Sequence, residues 1–461
     1  PLTVSRAAIL GSLLPADFDR KEFLGLMGIE GDPISDKKRI NEANKTGTKL
    51  STGFTYKRGF SNTIPISLMN KMQSEVETTW GTSTPTVLDA FAGGGSIPFE
   101  SVRMGFNTIA NELNPVATVI QKATIEYPMK YGEPLGKDIE RIGEEIAVQL
   151  ENELSEFFPK KQGEEIFAYI WVRTVQCPKC GLHIPLAPNW WLNTAEELGY
   201  QLQLPERMEN AHCTFKIVKA SSSFDPEIGT IKRGIATCPN PACNNVIEGA
   251  TIREEAQAGR MGHQLAAIGY KMKGRSGRHF REVTQMDLDG VVKAEEMLKK
   301  GFPEWEAKGL VPTEDIPEGN KTREPRNVGI VKWYQMFNPR QLLVHLTTLE
   351  SINKYSSLED LKTVSMKVYL NLILNKCLNY SAILNLYDPS RAIVKNVFAR
   401  HDYAFTYSYG EIDGAGTLFR FGMGQIIDAY LGISNLVGKS KGSVKFINGD
   451  ASHLSTVPDR I

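Results

Sequence analysis

Residues 86–96 have the sequence TVLDAFAGGGS, an apolar run that ends in consecutive glycines. The apolar run predicts a short buried strand, and the glycines predict a tight turn. We expect Ser96 to cap a helix that extends to about Met104, with Gly105 as its C-terminal stop. A glycine turn between a strand and a helix sets backbone N–H groups at the carboxyl edge of a sheet, where α/β folds bind ligands.

The same pattern continues as a second strand and a second helix. Residues 107–113 (NTIANEL) predict a strand that ends in Glu112, whose carboxylate could accept both hydroxyls of a ribose. Asn114 is a preferred helix N-cap, and Pro115 is favoured at the first helical position. Apolar residues then recur at helical spacing, at Val116, Val119, Ile120 and Ala123. This order predicts the first half of a doubly wound α/β sheet.

The glycine turn does not fit two common phosphate-binding patterns. Position 98 is Pro, so the turn departs from G-x-G-x-x-G, and the turn also lacks the Gly-Lys pair followed by Ser or Thr that marks a P-loop. A cofactor without a pyrophosphate fits better.

Composition sets further limits on the class of protein. The 461 residues predict two or three domains, and 41% hydrophobic with 23% charged residues is typical of globular proteins. No apolar run is long enough to span a membrane and no signal-peptide pattern is present, so we expect a cytoplasmic protein without membrane contact. The 53 basic and 53 acidic residues balance, so any DNA contact must use local basic patches.

Four of the six cysteines form two close pairs, Cys177 with Cys180 and Cys238 with Cys243. Two such pairs supply four thiolates, which suits a closed, structural Zn²⁺ site. Free buried thiols or an iron–sulfur cluster are the alternatives. We expect Cys377 to lie in the core, and Cys213 is a weaker candidate ligand.

Aromatic and basic residues surround the cysteine pairs. Trp171, Trp190 and Trp191 fit either a small core or a surface that stacks on bases. The densest basic run is a candidate for phosphate contact, with a solvated face as the alternative. Its members are Lys271, Lys273, Arg275, Arg278, His279 and Arg281, of which the lysines and arginines are the candidate phosphate contacts.

Other segments give weaker predictions. Residues 137–158 and 365–386 predict helices, 443–447 predict a strand followed by Asn-Gly-Asp-Ala, and 35–59 predict a loop. Residues 252–330 are charged and poorly periodic.

Residues 89–100 (DAFAGGGSIPFE) and 112–115 (ELNP) resemble the cofactor segment of amino-group DNA methyltransferases. The chain most closely resembles adenine-specific DNA methylases that contain a zinc ribbon. The resemblance implies a Rossmann-like S-adenosylmethionine-dependent methyltransferase fold with a long insert that carries the ribbon. It also implies that Phe91, Gly93 and Gly95 wrap the methionine part of the cofactor and that Glu112 holds the ribose.

The resemblance assigns further cofactor contacts. Asp89 would lie near the methionine amino group, and Asp450 would accept a hydrogen bond from the cofactor adenine. The expected set is completed by Ala92, Leu113, Asn114 and Ala451. The sequence departs from the family at Ala90, where Pro is usual, and at residues 55–60 (TYKRGF), where the family has a segment rich in Trp and Arg.

The implied domain order is an N-terminal segment (1–84), the first half of the core (85–135), an insert (136–345) and a return to the core (346–461). The ribbon would occupy about 165–250 of the insert, which is the natural place for target recognition. The family's catalytic motif, Asp/Asn/Ser-Pro-Pro-Tyr, is absent from the sequence, and we expect it beyond residue 461. Tyr387-Asp388-Pro389-Ser390 lacks the second Pro and the following aromatic residue.

The resemblance implies methyl transfer from S-adenosylmethionine to the N6 amino group of adenine in double-stranded DNA. Restriction–modification or phage defence would be the setting, with other subunits of such a system as candidate partners. A non-catalytic nucleic-acid-binding subunit is one alternative. Methylation of cytosine N4 or of an RNA base is another.

Overall fold

The computed structural model describes residues 2–29, 32–51, 64–355, 361–399, 402–454 and 457. The predicted departure from the family at residues 55–60 lies outside these residues. The chain divides into two compact units. Unit 1 comprises Pro1–Ile139, Asp360–Val368 and Ile427–Ile461, and unit 2 comprises Glu140–Glu359 and Tyr369–Ile426.

The α-helices, in chain order, are α1 (Leu2–Leu13), α2 (Arg20–Leu26), α3 (Pro33–Thr46), α4 (Ile66–Trp80), α5 (Ser96–Arg103), α6 (Pro115–Gln121), α7 (Tyr127–Leu154), α8 (Gly249–Gln257), α9 (Gln285–Ala307), α10 (Arg323–Asn327), α11 (Pro339–Lys354), α12 (Leu361–Tyr380) and α13 (Thr417–Val437). A π-helical turn, Lys122–Glu126, joins α6 to α7. None of the helices in the described part of the chain is long and apolar enough to cross a membrane.

The strands are β1 (Thr86–Asp89), β2 (Asn107–Glu112), β3 (Glu164–Gln176), β4 (His183–Leu186), β5 (Trp191–Asn193), β6 (Leu198–Gln203), β7 (Thr214–Lys219), β8 (Ile231–Lys232), β9 (Ile235–Thr237), β10 (Val246–Ile247), β11 (Gly262–Met272), β12 (His279–Arg281), β13 (Tyr387–Asp388), β14 (Ile393–Val394), β15 (Ser408–Glu411) and β16 (Val444–Asn448).

Unit 1 contains a parallel three-stranded sheet in the order β1-β2-β16. The central strand β2 is the most buried of the three, with four consecutive buried residues that include Ile109 and Ala110, because strands flank it on both sides. The mixed α/β class that the sequence predicts is confirmed, as are the three predicted strands.

Helix α5 follows the glycine turn and is fixed by a buried ion pair. Arg6 of α1 and Glu100 of α5 are both fully buried, with 2.6 Å between Arg6 Nε and Glu100 Oε2. Arg6 also donates to the backbone oxygen of Leu26, which satisfies a second part of the guanidinium. Removing one partner of such a pair leaves an uncompensated buried charge, so this pair specifies how α1 packs on α5.

Of the two predicted helix N-caps, Asn114 is confirmed and Ser96 is wrong. Asn114 caps α6, with its side chain accepting a hydrogen bond from Val116 N at 2.9 Å, and Pro115 is the first helical residue. Ser96 is not a cap but the first residue of α5. Gly95 takes the N-cap position, because the turn needs a residue in the left-handed region there, at φ 87°. Having no side chain, Gly95 makes no capping hydrogen bond.

Unit 2 is built around two long antiparallel strands. β3 pairs with β11 along almost its whole length, and the sheet continues in the order β12-β11-β3-β15 with β4 also on β3. Three small antiparallel sheets accompany it: β5-β6-β7, β8-β9-β10 and β13-β14. One apolar cluster joins Ile170 and Val172 of β3 to buried residues of the β5-β6-β7 and β13-β14 sheets. The buried residues of the β8-β9-β10 sheet pack in a second cluster with the paired cysteines.

Some predictions from periodicity are wrong. The predicted loop at 35–59 contains most of α3, which starts at the Asp32 cap and stops at Gly47 in the left-handed region. The region 252–330 contains α9, which begins with a capping box of Thr284 and Asp287. The helix predicted at 365–386 is present as α12, with both ends nearer the N-terminus, at Leu361 and Tyr380.

Candidate functional site

The carboxyl ends of β1, β2 and β16 lie at one edge of the unit 1 sheet, since all three strands are parallel. The glycine turn after β1 is tied to β2 by Ala92 N, which donates to Asn111 O at 3.0 Å. The end of β16 is tied to β2 by Asn448 Nδ2 and Gly449 N, which both donate to Glu112 O, at 2.7 and 3.2 Å. This edge therefore gathers most of the predicted cofactor residues.

The carboxylate of Glu112 bridges the glycine turn and the start of α6. Its Oε2 accepts from Gly93 N at 2.6 Å, and its Oε1 accepts from Asn114 N at 2.9 Å. These backbone N–H groups, that of Asn114 first, lower the pKa of Glu112 below its ordinary value. Each carboxylate oxygen has a second lone pair, so Glu112 is an ionised acceptor with capacity to spare at neutral pH.

The three glycines of the turn meet different structural requirements. Gly93 and Gly95 have φ of 52° and 87°, which other residues rarely adopt. A Cβ on Gly95 would lie 2.9 Å from Gln121 Cγ, whereas a Cβ on Gly93 or Gly94 would meet nothing within 4 Å. Gly95 is thus packed against α6, and the backbone of Gly93 and Gly94 borders open space.

Asp89 lies close enough to Glu112 for the two carboxylates to interact, and two exposed apolar residues are near them in the sequence. Asp89 is half-buried and accepts from Phe91 N at 3.2 Å, and burial raises its pKa above the ordinary value. Phe91 and Leu113 are 83% and 69% exposed. Acidic groups between exposed apolar side chains suit a ligand that combines hydroxyl or ammonium donors with an aromatic ring.

Asp450 and Ala451 follow β16 at the same edge. The Asp450 carboxylate accepts from Ser452 N at 2.8 Å, and that backbone bond lowers the pKa of Asp450. Asp450 is exposed and Ala451 half-buried.

Sequence reasoning missed the amide side chains that hold this edge together. Asn111 Nδ2 donates to Ala90 O at 3.1 Å and to Gly449 O at 3.0 Å, linking all three strand ends. Gln121 Nε2 donates to Gly93 O at 2.6 Å. A buried Asn inside a strand, where Asn is depleted, is the signal that could have found the first of these.

The four paired cysteines of unit 2 form one cluster. The Sγ atoms of Cys177, Cys180, Cys238 and Cys243 all lie within 4.8 Å of one another. The Sγ–Sγ distances are 3.8 Å between Cys177 and Cys243 and 3.6 Å between Cys180 and Cys238. Four sulfurs at ~2.3 Å from a tetrahedral Zn²⁺ are separated by about 3.8 Å, so the cluster has the size of a metal site.

Backbone amides support this cluster as second-layer donors. The N–H groups of Leu182, Asn240 and Asn245 hydrogen-bond to the sulfurs of Cys180, Cys238 and Cys243. Such donors stabilise thiolates and orient them toward a cation. The cluster can therefore hold a metal ion.

The two other cysteines lie in apolar surroundings. Cys213 is fully buried, and burial raises the pKa of its thiol to about 12. Burial likewise raises the pKa of Cys377 to about 12. Cys213 is not part of the four-sulfur cluster, and His183 and His212 stack on each other with ring centroids 4.3 Å apart.

Two of the three tryptophans near the cluster belong to the core. Trp171 and Trp190 are 4% and 5% exposed, and their indole N–H groups donate to Glu411 and to Ile228 O. Trp191 is half-buried and donates to Glu227 at 2.6 Å. Trp171 and Trp190 thus present no face on which a base could stack.

The predicted basic run lies on the hairpin β11–β12, residues 271–281, which we call the basic hairpin. Lys271, Lys273 and Arg275 are exposed and Arg278 is half-exposed. Arg281 must be withdrawn from the predicted phosphate contacts, because it pairs with Glu164 at 2.9 Å and with Asp287 at 2.7 Å and its side chain is 9% exposed.

No family model, curated protein or solved structure matches this chain. The arguments about function therefore depend on the sites themselves.

Proposed function

We propose that this chain is an S-adenosylmethionine-dependent DNA methyltransferase that acts on the N6 amino group of adenine. The observation that carries the proposal is the hydrogen bond from Gly93 N to the carboxylate of Glu112. Gly93 lies in the turn after β1, and Glu112 ends the neighbouring strand β2. The order β1-β2-β16 agrees with strands one, two and three of a doubly wound sheet, whose ligands bind at the carboxyl ends of the strands.

The residues at this edge fit the donors of S-adenosylmethionine, which are two ribose hydroxyls and an ammonium group. Asp89 and Glu112 are acidic acceptors. Two further acceptors, Asn111 Oδ1 and Gln121 Oε1, are buried and have no hydrogen-bond partner within the described residues. Buried acceptors of this kind favour a ligand that brings donors.

When bound, the cofactor supplies an electrophilic methyl group. In this proposal Glu112 holds the ribose hydroxyls, Asp89 and the glycine turn receive the methionine part, and Asp450 accepts from the adenine. Phe91 and Leu113 cover apolar surface and exclude water.

We further propose that the cysteine cluster binds a structural Zn²⁺. Four thiolates leave no open coordination position, so the metal would stabilise the fold and take no part in the chemistry. Unit 2 would contact double-stranded DNA, with Lys271, Lys273 and Arg275 of the basic hairpin against phosphates.

Calorimetric titration with S-adenosylmethionine tests the cofactor site. We expect Glu112→Gln to weaken binding roughly 10- to 150-fold, since charge-assisted hydrogen bonds are lost. Glu77→Gln is the matched control, because Glu77 is an exposed glutamate of unit 1 on α4. Equal affinity in the parent and in both Glu112→Gln and Asp89→Ala would refute the assignment.

A non-catalytic nucleic-acid-binding subunit is the second candidate, favoured by the cysteine cluster and the basic hairpin lying in the same unit. Transfer of a labelled methyl group from S-adenosylmethionine to double-stranded DNA separates the two. N6-methyladenine among the nucleosides supports the first, and cofactor binding without transfer supports the second.

A further inference from the structure

Two neighbouring cavities of unit 2 share three cationic side chains. The first, the basic cleft, has a volume of about 680 Å³, and the second, the aromatic cavity, about 740 Å³. Lys271, Arg278 and Arg391 line both of them. Both volumes are in the range of small-molecule sites, and the shared cations lie where the two cavities adjoin.

The basic cleft has the charge of an anion site. Its lining includes Arg275 as a fourth cation and a single carboxylate, that of Glu196. The cations come from two turns, the basic hairpin and the loop between β13 and β14, and Arg278 Nη1 joins these turns by donating to Arg391 O at 2.7 Å. Ala392, beside Arg391, has φ of 50°, a costly conformation that this arrangement maintains.

The aromatic cavity is mainly apolar and is lined by three rings. Phe167 lies under the Arg278 guanidinium at 5.6 Å, and Tyr380 and Phe421 contact each other edge to face at 4.9 Å. Phe421 is 38% exposed although it is aromatic. Lys395, a further cation of the lining, is paired with Asp388 at 2.8 Å.

We propose that these cavities form a nucleotide site, with the phosphate held by Lys271, Arg278 and Arg391 and an unstacked base held among Phe167, Tyr380 and Phe421. Cations adjoining aromatic rings are the chemistry with which proteins hold single nucleotides of a strand. The inference rests on the nucleic-acid contact proposed for unit 2 and is independent of methyl transfer. It adds a specific pocket for one nucleotide to a surface that contacts phosphates.

The test uses 2′-deoxyadenosine 5′-monophosphate, observed by saturation-transfer NMR and calorimetry on the whole chain without S-adenosylmethionine. We expect the monophosphate to bind and deoxyadenosine, which lacks the phosphate, to bind much more weakly. Lys271→Glu should abolish detectable binding. Lys273→Glu is the matched control, because Lys273 is an exposed lysine of the same hairpin that lines neither cavity.

The ring contribution is tested with Phe421→Leu, which keeps an apolar side chain. We expect roughly 5- to 150-fold weaker binding, the range for loss of base–aromatic stacking. A short oligodeoxyadenylate, followed by fluorescence anisotropy, separates the sources: tighter binding than the monophosphate indicates a DNA strand, and equal binding indicates a free nucleotide.

Equal losses in Lys271→Glu and Lys273→Glu, or unchanged binding in Phe421→Leu, would overturn the proposed site. Circular dichroism of each variant establishes that it is folded. Failure here, with cofactor binding that depends on Glu112, leaves the methyltransferase proposal standing. Nucleotide binding with the expected variant effects, in a chain whose cofactor affinity does not change in Glu112→Gln or Asp89→Ala, leaves the nucleotide site standing.

Discussion

At the scale of single residues, the hydrogen bonds of Glu112 make unit 1 sensitive to acid. Because the folded state lowers the pKa of Glu112, its ionised form stabilises the fold above the ordinary pKa of 4.5, and this stabilisation is lost as pH falls through the lower folded value. We expect Glu112→Gln to unfold at lower temperature than the parent at neutral pH. The difference should shrink below about pH 4.5. Thermal unfolding at a series of pH values measures it, and a difference independent of pH would contradict the assignment.

The glycine turn offers a second comparison between neighbouring residues. Gly95→Ala places a Cβ in the left-handed region and 2.9 Å from Gln121 Cγ, which also threatens the bond from Gln121 to Gly93 O. We expect the free energy of unfolding to fall by about 1–3 kcal/mol. Gly94→Ala is the control, since its Cβ meets nothing within 4 Å and its φ is not positive. Denaturant unfolding measures the stability of both variants. Equal losses of stability would show that the turn does not require glycine at position 95 in particular.

Residues whose partners are close in sequence were the predictable ones. Asn114 and Pro115 carry a local start signal, and the structure has the cap they predict. The ion pairs of Arg281 were not predicted, because one partner, Glu164, is 117 residues away in the sequence. The other, Asp287, lies in the first turn of α9, a helix that no periodic pattern indicated. Val116, Val119 and Ile120 have helical spacing yet are 66%, 43% and 40% exposed. Periodicity predicts that apolar residues share one face of a helix, but it does not predict whether another element packs on that face.

At the scale of elements, α3 was missed although its boundary signals were present. Asp32 and Pro33 start it and Gly47 ends it, but its few apolar residues gave no periodic pattern. The cysteine pairs were predictable as pairs because each is a local turn. Their meeting across the long intervening segment depends on β8, β9 and the cluster around Ile184 and Ile231, which no local pattern specifies.

The cysteine cluster makes a metal-dependent prediction for these elements. We expect the purified chain to contain about one zinc, and Cys177→Ser to lose it and to destabilise the strands around the cluster. Cys213→Ala is the matched control, because Cys213 is equally buried but outside the cluster, and it should retain the metal. Elemental analysis decides the question, and a metal-free parent protein would refute the zinc proposal.

At the scale of the whole molecule, each unit has its own stabilising contacts. The ladder β1-β2-β16 and the Arg6–Glu100 pair belong to unit 1, and the cysteine cluster and the β3–β11 ladder belong to unit 2. The sequence placed the first unit's strands correctly because strand, turn and helix follow each other directly. It expected the insert to end at 345, whereas unit 2 also takes in Tyr369–Ile426, whose β15 pairs with β3.

This division predicts that S-adenosylmethionine and a metal chelator change hydrogen–deuterium exchange in different units. S-adenosylmethionine should slow exchange in peptides that cover the glycine turn and the end of β2, because binding to the native state suppresses local opening there. A chelator should speed exchange in β4, β8, β9 and β10, whose apolar residues pack with the cysteines, while β1 and β2 keep their protection. Protection by the cofactor confined to unit 2 would contradict the proposed site, because the strand ends that carry Glu112 and Gly93 lie in unit 1.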